Sequence, residues 1–192
     1  MKQAILKYAA RIASVEILQQ ARWELKLRAH AARAALNPRQ RATIARIRAD
    51  RPTDLRINLG CGPVPTPGWL NVDGVAAEAD LIQVFGRPLD LPDGCAAMVF
   101  CEHVLEHVDY PDVARSLVAD VYRVLRPGGV LRLIVPDAER AMRAYADNDT
   151  DLLTQLAPSE KTPIEVVNKI FREGGFHRFA WDYTLLAAEL RL

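Results

Sequence analysis

The chain has 192 residues, half of them hydrophobic and only 7% aromatic, with a formal net charge of +1, which suits one domain plus an appendage around a core of Leu, Val, Ile and Ala. Cys61, Cys95 and Cys101 are odd in number and have no paired spacing, which argues against a disulfide framework. The opening MKQAILKYAARIASVEILQQ lacks the apolar core of a secretory signal, and no run approaches the roughly 18 apolar residues of a membrane span, so a reducing cytosol is expected.

Residues 1–36 read as helix, with Ile5, Tyr8, Ile12 and Val15 recurring at spacings of three and four. Asn37-Pro38 stops it and starts a second helix, Pro38 to Asp50, with Asn as cap and Pro in the first turn. These segments carry the charge asymmetry of the chain. Residues 1–51 hold twelve Lys or Arg against three acids, whereas the rest holds 13 bases against 21 acids. The expected organisation is a basic helical extension over 1–51, a linker DRPTD, and an acidic domain over 52–192.

From Leu55 the pattern becomes short apolar runs. Strands are expected at 55–59, 70–72, 81–84, 97–101 and 130–135. A helix fits Pro111–Leu125, with Val113, Leu117, Val118, Val121 and Leu125 on one face and Pro127-Gly128-Gly129 as its stop. Residues 138–170 read as mixed helix broken at Pro158 and Pro163, and Trp181–Leu192 as a last helix with Asp182 near its start. Strands alternating with helices predict an α/β fold, a doubly wound and mostly parallel sheet covered on both faces.

The stretch INLGCGPVPTPGWLNVDG, 57–74, decides the ligand class. A dinucleotide fingerprint needs G-x-G-x-x-G and an acid about 20 residues on. Here Pro65 stands in the third glycine position, and Asp73 comes 13 residues after Gly60. Pro63, Pro65 and Pro67 leave little room for the helix whose N-terminus would hold a pyrophosphate, which argues against a nicotinamide-dependent oxidoreductase. What survives is a backbone open to close approach and a carboxylate suited to a ribose diol. That describes a nucleoside without phosphates.

INLGCG with GWLNVD, then LPDG, then HVLEHV, then VYRVLRPGGVLRLIVPD resembles the class I S-adenosylmethionine-dependent methyltransferases, in particular the small type 11-like branch associated with sugar and cell-envelope biosynthesis. The resemblance covers about Leu55 to Leu192. It implies a Rossmann-like methyltransferase fold and S-adenosylmethionine as cofactor. It implies that Gly60, Cys61 and Gly62 line the methionine part, that Asp73 takes the ribose hydroxyls, that Asp90 and Leu91 flank the adenine, and that Cys101 and Glu102 run beside the sulfonium. Two departures stand out. Ala96-Ala97 replaces the Phe-Asp common before the fourth strand. The two strands that usually follow the last helix are missing, which leaves the fifth strand as an edge to be covered by the basic helices, by a second chain, or by residues beyond a truncation.

EHVLEHV supplies further chemistry. On a helix, His103, Glu106 and His107 share one face through their i, i+3, i+4 spacing, and with His177 in GGFHRFAW they form a candidate set for a divalent metal. The alternative is that His103 or His177 serves as a metal-free base or substrate contact, or that the segment is structural. Some relatives, the small-RNA and ubiquinone-pathway O-methyltransferases, place a similar acid/His helix on a metal. Asp137 is a substrate contact or a helix cap; Trp69 and Trp181 are packing residues.

The expected function is methyl transfer, to oxygen on a small-molecule or glycan-type acceptor by resemblance alone. The alternatives are a non-catalytic partner-binding module and a nucleic-acid methyltransferase recruited through the basic arm. That arm packs on the body or a second subunit, lies on an anionic membrane surface, or binds nucleic acid. The expected location is cytoplasmic or peripheral to a membrane.

Overall fold

The computed structural model describes residues 15–191. The first turns of the expected N-terminal helix, with Ile5, Tyr8 and Ile12, lie outside the described residues. Two helices, α1 (Val15–Leu36) and α2 (Pro38–Asp50), precede the sheet. Asn37 makes the corner between them: its backbone is extended, its side-chain oxygen accepts from Arg39 N at 2.9 Å, and Pro38 takes the first turn.

Five strands follow, β1 (Leu55–Leu59), β2 (Leu70–Asp73), β3 (Leu81–Ile82), β4 (Ala96–Glu102) and β5 (Leu125–Ile134). They form one all-parallel sheet in the order β3-β2-β1-β4-β5. Ile57, Leu59, Val72, Leu81 and Val99 are fully buried in it, as near-continuous apolar strands of a parallel sheet should be. The connections depart from the expected alternation. Only the crossover from β4 to β5 runs through an α-helix, α3 (Asp112–Val124), which buries Ala114, Leu117, Val121 and Val124. From β1 to β2 the chain passes through the proline loop, where fixed φ angles and missing donors prevent a helix. Strand β5 starts directly after α3, at Leu125. Pro127-Gly128-Gly129 therefore does not stop the helix but forms an excursion within β5, because Ala96 pairs with Leu125 and Met98 already pairs with Val130.

The basic helices lie at the β3 edge. Gln40 behaves like a residue of a neighbouring strand: its Oε1 accepts from Ile82 N at 3.1 Å and its Nε2 donates to Ile82 O at 3.2 Å. Each such bond is worth about 1 kcal/mol net. Ile47 is buried in the same core as the sheet, and Arg48 pairs with Asp90. The described part of the basic extension therefore does not cover the fifth-strand edge. It closes the opposite edge, and β5 has no strand on its outer side among the described residues.

Beyond β5 come α4 (Ala138–Ala146), α5 (Thr150–Leu156) and α6 (Pro163–Arg172), which share a small core of Ala144, Leu153, Ala157 and Val166. Asp137 caps α4, accepting from Arg140 N at 3.0 Å. Pro163 opens α6 behind a capping box in which Glu165 accepts from Thr162 N at 2.8 Å. The last helix, α7 (Tyr183–Glu189), is shorter than expected and is capped by Asp182. Trp181 stays outside it, bridged to Asp137 and packed edge-on against Tyr110 and Phe179. No helix among the described residues is long and apolar enough to cross a membrane.

Glu189 anchors α7. It accepts from Tyr110 Oη at 2.8 Å and from Arg115 Nε and Nη2 at 2.8 and 2.9 Å. The bonds from Arg115 and then Tyr110 hold its carboxyl below the usual carboxylate range. A depressed carboxyl stabilises the fold above its unfolded value of about 4.3 and loses that contribution as pH falls through the folded one. Denaturant unfolding of wild type and Glu189→Gln should therefore differ most above about pH 5 and converge towards pH 3.

Candidate functional site

The order of the sheet reverses between β1 and β4, and in open α/β sheets the carboxyl ends of the strands at such a point are where ligands bind. Gly60 ends β1 there with φ +78°, its N–H on Val72 O at 2.8 Å. A Cβ on Gly60 would lie 2.2 Å from Val104 Cγ2, whereas one on Gly62, at φ +57°, would meet nothing within 4 Å. Gly60 therefore serves the close approach of β1 and β4, and Gly62 serves the turn and an open face. Cys61 between them is half-buried, with its thiol pushed up to about 11 by burial and by the carboxylates of Asp73 and Asp80, so it is a neutral thiol rather than a nucleophile.

Asp73 closes the loop. Its Oδ2 accepts from Gly62 N at 3.0 Å, and its Oδ1 accepts from Val75 N and Ala76 N, both at 2.8 Å. Three of the roughly four lone-pair sites of a carboxylate are thus in use. One remains for a ligand hydroxyl, not the two that a free diol-binding carboxylate would offer. The proline loop is held by a network the sequence reading overlooked. Asn71 donates to Thr66 O, Trp69 O and Asp80 Oδ2 at 3.0–3.1 Å and accepts from Thr66 N at 2.7 Å, while Asn58 donates to both Asn71 and Thr66. The only signal in the sequence was an amide in each of two adjacent apolar strands, INL and LNV, where burial demands polar partners.

Cys101 and Glu102 end β4 beside Gly60, with Glu102 O 3.6 Å from the position of a Gly60 Cβ. Cys101 is buried, its thiol pushed up to about 12 by that burial and by Glu106; Glu102 is exposed. Asp90 and Leu91 lie in the segment between β3 and β4. Leu91 is buried, and its carbonyl accepts from Arg123 Nη1 at 2.8 Å near the end of α3. Asp90 pairs with Arg48 of α2, and its N–H donates to Gln83 Oε1 at 3.1 Å, which keeps it beside the residues directly after β3. Gln83, Val84, Asp90 and Arg48 line one cleft there.

The acid/histidine segment is a 3₁₀ turn, Leu105–His107, not an α-helix, so the expected shared face does not form. His103 sits before it at φ +54°, with Nδ1 on Glu106 Oε1 at 2.7 Å and its side chain 58% exposed. The three groups that do converge are Glu106, His107 and His177, whose ligand atoms lie within 4.8 Å of one another. His177 is carried in by the segment after α6: Arg178 N and Phe179 N both donate to Glu106 O, at 2.7 and 3.3 Å. His107 and His177 stand 5.0 Å apart, ring centre to ring centre.

The donor set fits a divalent cation. Glu106 is 1% exposed, and its Oε2 has no hydrogen-bond partner. His107 Nδ1 lies 3.2 Å from Phe176 O and His177 Nδ1 2.7 Å from Ile170 O, so both rings carry their proton on Nδ1 and turn Nε2 outward, the arrangement usual for metal-binding histidines. His177 Nε2 is 3.0 Å from Glu173 Oε2, two acceptors that tolerate each other only through a second imidazole proton or a cation.

The strand order is that of a Rossmann-like domain. Residues 68–133 match a family model described as a methyltransferase domain. With the sheet described above, that match supports a class I methyltransferase domain, type 11-like. The matched segment runs from the end of the proline loop into β5, so Gly60–Gly62 lies just ahead of it. No curated protein matches the chain.

Replacing Gly62 by Ala should cost about 1–2 kcal/mol, the penalty of positive φ alone. Gly60→Ala adds overpacking of about 1–3 kcal/mol. Urea unfolding should therefore rank Gly60→Ala as the more damaging, with Val104→Ala in that background recovering part of the loss.

Proposed function

We propose that the protein transfers a methyl group from S-adenosylmethionine to a hydroxyl oxygen of a small acceptor, with a divalent cation on Glu106, His107 and His177. The observation that carries the oxygen and cation reading is the buried Glu106, whose Oε2 has no hydrogen-bond partner, with ligand atoms of Glu106, His107 and His177 within 4.8 Å of one another. A buried carboxylate oxygen without a partner costs several kcal/mol, which a cation offsets.

Gly60 and Gly62 bring backbone close to the methionine part of the cofactor, and Asp73 accepts one ribose hydroxyl without releasing the loop. When bound, S-adenosylmethionine supplies a methyl group already activated on sulfonium, so the task left to the protein is alignment and exclusion of water. The acceptor hydroxyl must lose its proton. A cation on the triad lowers the pKa of a hydroxyl that binds it. His103 suits the role of proton acceptor: Glu106 Oε1 holds its Nδ1–H, which leaves Nε2 as a lone pair towards solvent. Glu106 then serves both groups, one oxygen orienting His103 and the other belonging to the cation.

Isothermal titration should detect binding of S-adenosylmethionine and S-adenosylhomocysteine, weakened at least tenfold, about 1.4 kcal/mol, by Asp73→Asn in a sample that unfolds normally. A folded protein that binds neither ligand would sink the enzyme reading. Separately, Zn²⁺ or Mn²⁺ at 100 times its Kd should stabilise the wild type by about 2.7 kcal/mol in thermal unfolding. Glu106→Gln should abolish that gain. An equal response from both proteins would remove the cation from the site.

A further inference from the structure

Next to the triad lies a groove of about 1060 Å³ between α1 and the segment from α6 to Phe176, and His107 forms part of its wall. The groove is basic in a particular way. Lys169 is matched by Glu160 at 3.5 Å, and Arg178 is matched by Asp109. Arg22, Lys26 and Arg172 also line it, and none of the three has an ion-pair partner among the described residues. Between these cations stand two aromatic rings open to solvent, Trp23 (39% exposed) and Phe176 (58%), edge to face at 6.1 Å. Lys26 Nζ lies 5.3 Å from the centre of the Trp23 ring.

We propose that this groove is the acceptor site and that the acceptor is a phosphate-bearing sugar or nucleoside. The inference rests on the methyl-transfer reading of the neighbouring crevice. Arg and Lys side chains that line one groove without an ion-pair partner among the described residues match phosphate oxygens, and Arg does so with two parallel N–H donors. Exposed Trp and Phe faces stack on a sugar or base. The volume is at the upper end of small-molecule sites, which run to about 1000 Å³, and so accommodates a ring with one or two phosphates. A long polyanion fits worse. Glu160, Glu165 and Glu173 also line the groove and would face a continuous phosphate chain. A phosphate held at the α1 side leaves the ring of the acceptor towards His107, and hence its hydroxyl towards the triad. Helix α1 thereby acquires a task in choosing the substrate.

The test is titration of the full chain with inorganic pyrophosphate, uridine diphosphate, uridine and a 20-nucleotide single strand, with S-adenosylhomocysteine run in parallel. Uridine diphosphate should bind at least tenfold more tightly than uridine. The Lys26→Gln/Arg172→Gln double variant should lose at least tenfold for uridine diphosphate and for pyrophosphate while keeping its affinity for S-adenosylhomocysteine. Trp23→Ala should weaken uridine diphosphate and leave pyrophosphate unchanged. Absence of binding by every phosphate probe would overturn the proposal, as would equal affinity for the diphosphate and the nucleoside, or a double variant indistinguishable from wild type. Tighter, steeply salt-dependent binding of the single strand would overturn it in favour of a nucleic-acid acceptor. Loss of S-adenosylhomocysteine binding alone would strike the methyl-transfer reading and leave the anion groove standing.

Discussion

The organisation of the site turns on one buried carboxylate. Glu106 sits in a single 3₁₀ turn between β4 and α3, too short to hold its own geometry, and it is ordered by what it binds. Its carbonyl takes two backbone N–H groups from Arg178 and Phe179, which brings a segment some seventy residues distant against the end of β4. One carboxylate oxygen orients His103, the other has no hydrogen-bond partner, and the group lies within 4.8 Å of ligand atoms of His107 and His177. Taking that charge out of water costs several kcal/mol, and only a full set of partners repays it. Each group that approaches Glu106 is therefore also placed near the carboxyl end of β4.

A second carboxylate governs the other half of the site. Asp73 gathers the N–H groups of Gly62, Val75 and Ala76, so the glycine loop and the chain after β2 share one acceptor. With Asn58 and Asn71 beneath, the proline loop is pinned without a helix of its own. Two rigid loops thus meet where β1 and β4 part, one shaped by Asp73 and the other by Glu106. The contact between Gly60 and Val104 sets their spacing.

The edges of the sheet are treated unequally. At β3, Gln40 supplies the donor and acceptor that a further strand would have provided, and α2 buries Ile47 in the common core. That arrangement spends the basic helices on the side away from β5. It also carries α1 back past the loop after β2, where Leu27 lies 3.3 Å from the position of a Gly74 Cβ, to Trp23 beside Phe176. The appendage suggested by the charge asymmetry is in this way part of the wall of the groove beside His107.

Local chemistry made much of this legible in the amino-acid sequence: the β1 run, the start of α2 at Asn37-Pro38, the α3 face, and a glycine loop whose prolines and early Asp73 speak against a pyrophosphate. These are statements about a few adjacent residues, for which periodicity and backbone restriction suffice. Positions that depend on the path of the chain in space were not legible. Asp90 pairs with Arg48 of a helix some forty residues earlier, a contact that no local pattern announces. His103, Glu106 and His107 have helical spacing, yet the segment makes one tight turn, so His103 departs and His177 arrives. The sequence by itself determined which groups were available and that the strands would be buried and parallel. Only the tertiary structure decided which of them share one charge, because a buried carboxylate selects its partners by distance and desolvation rather than by order along the chain.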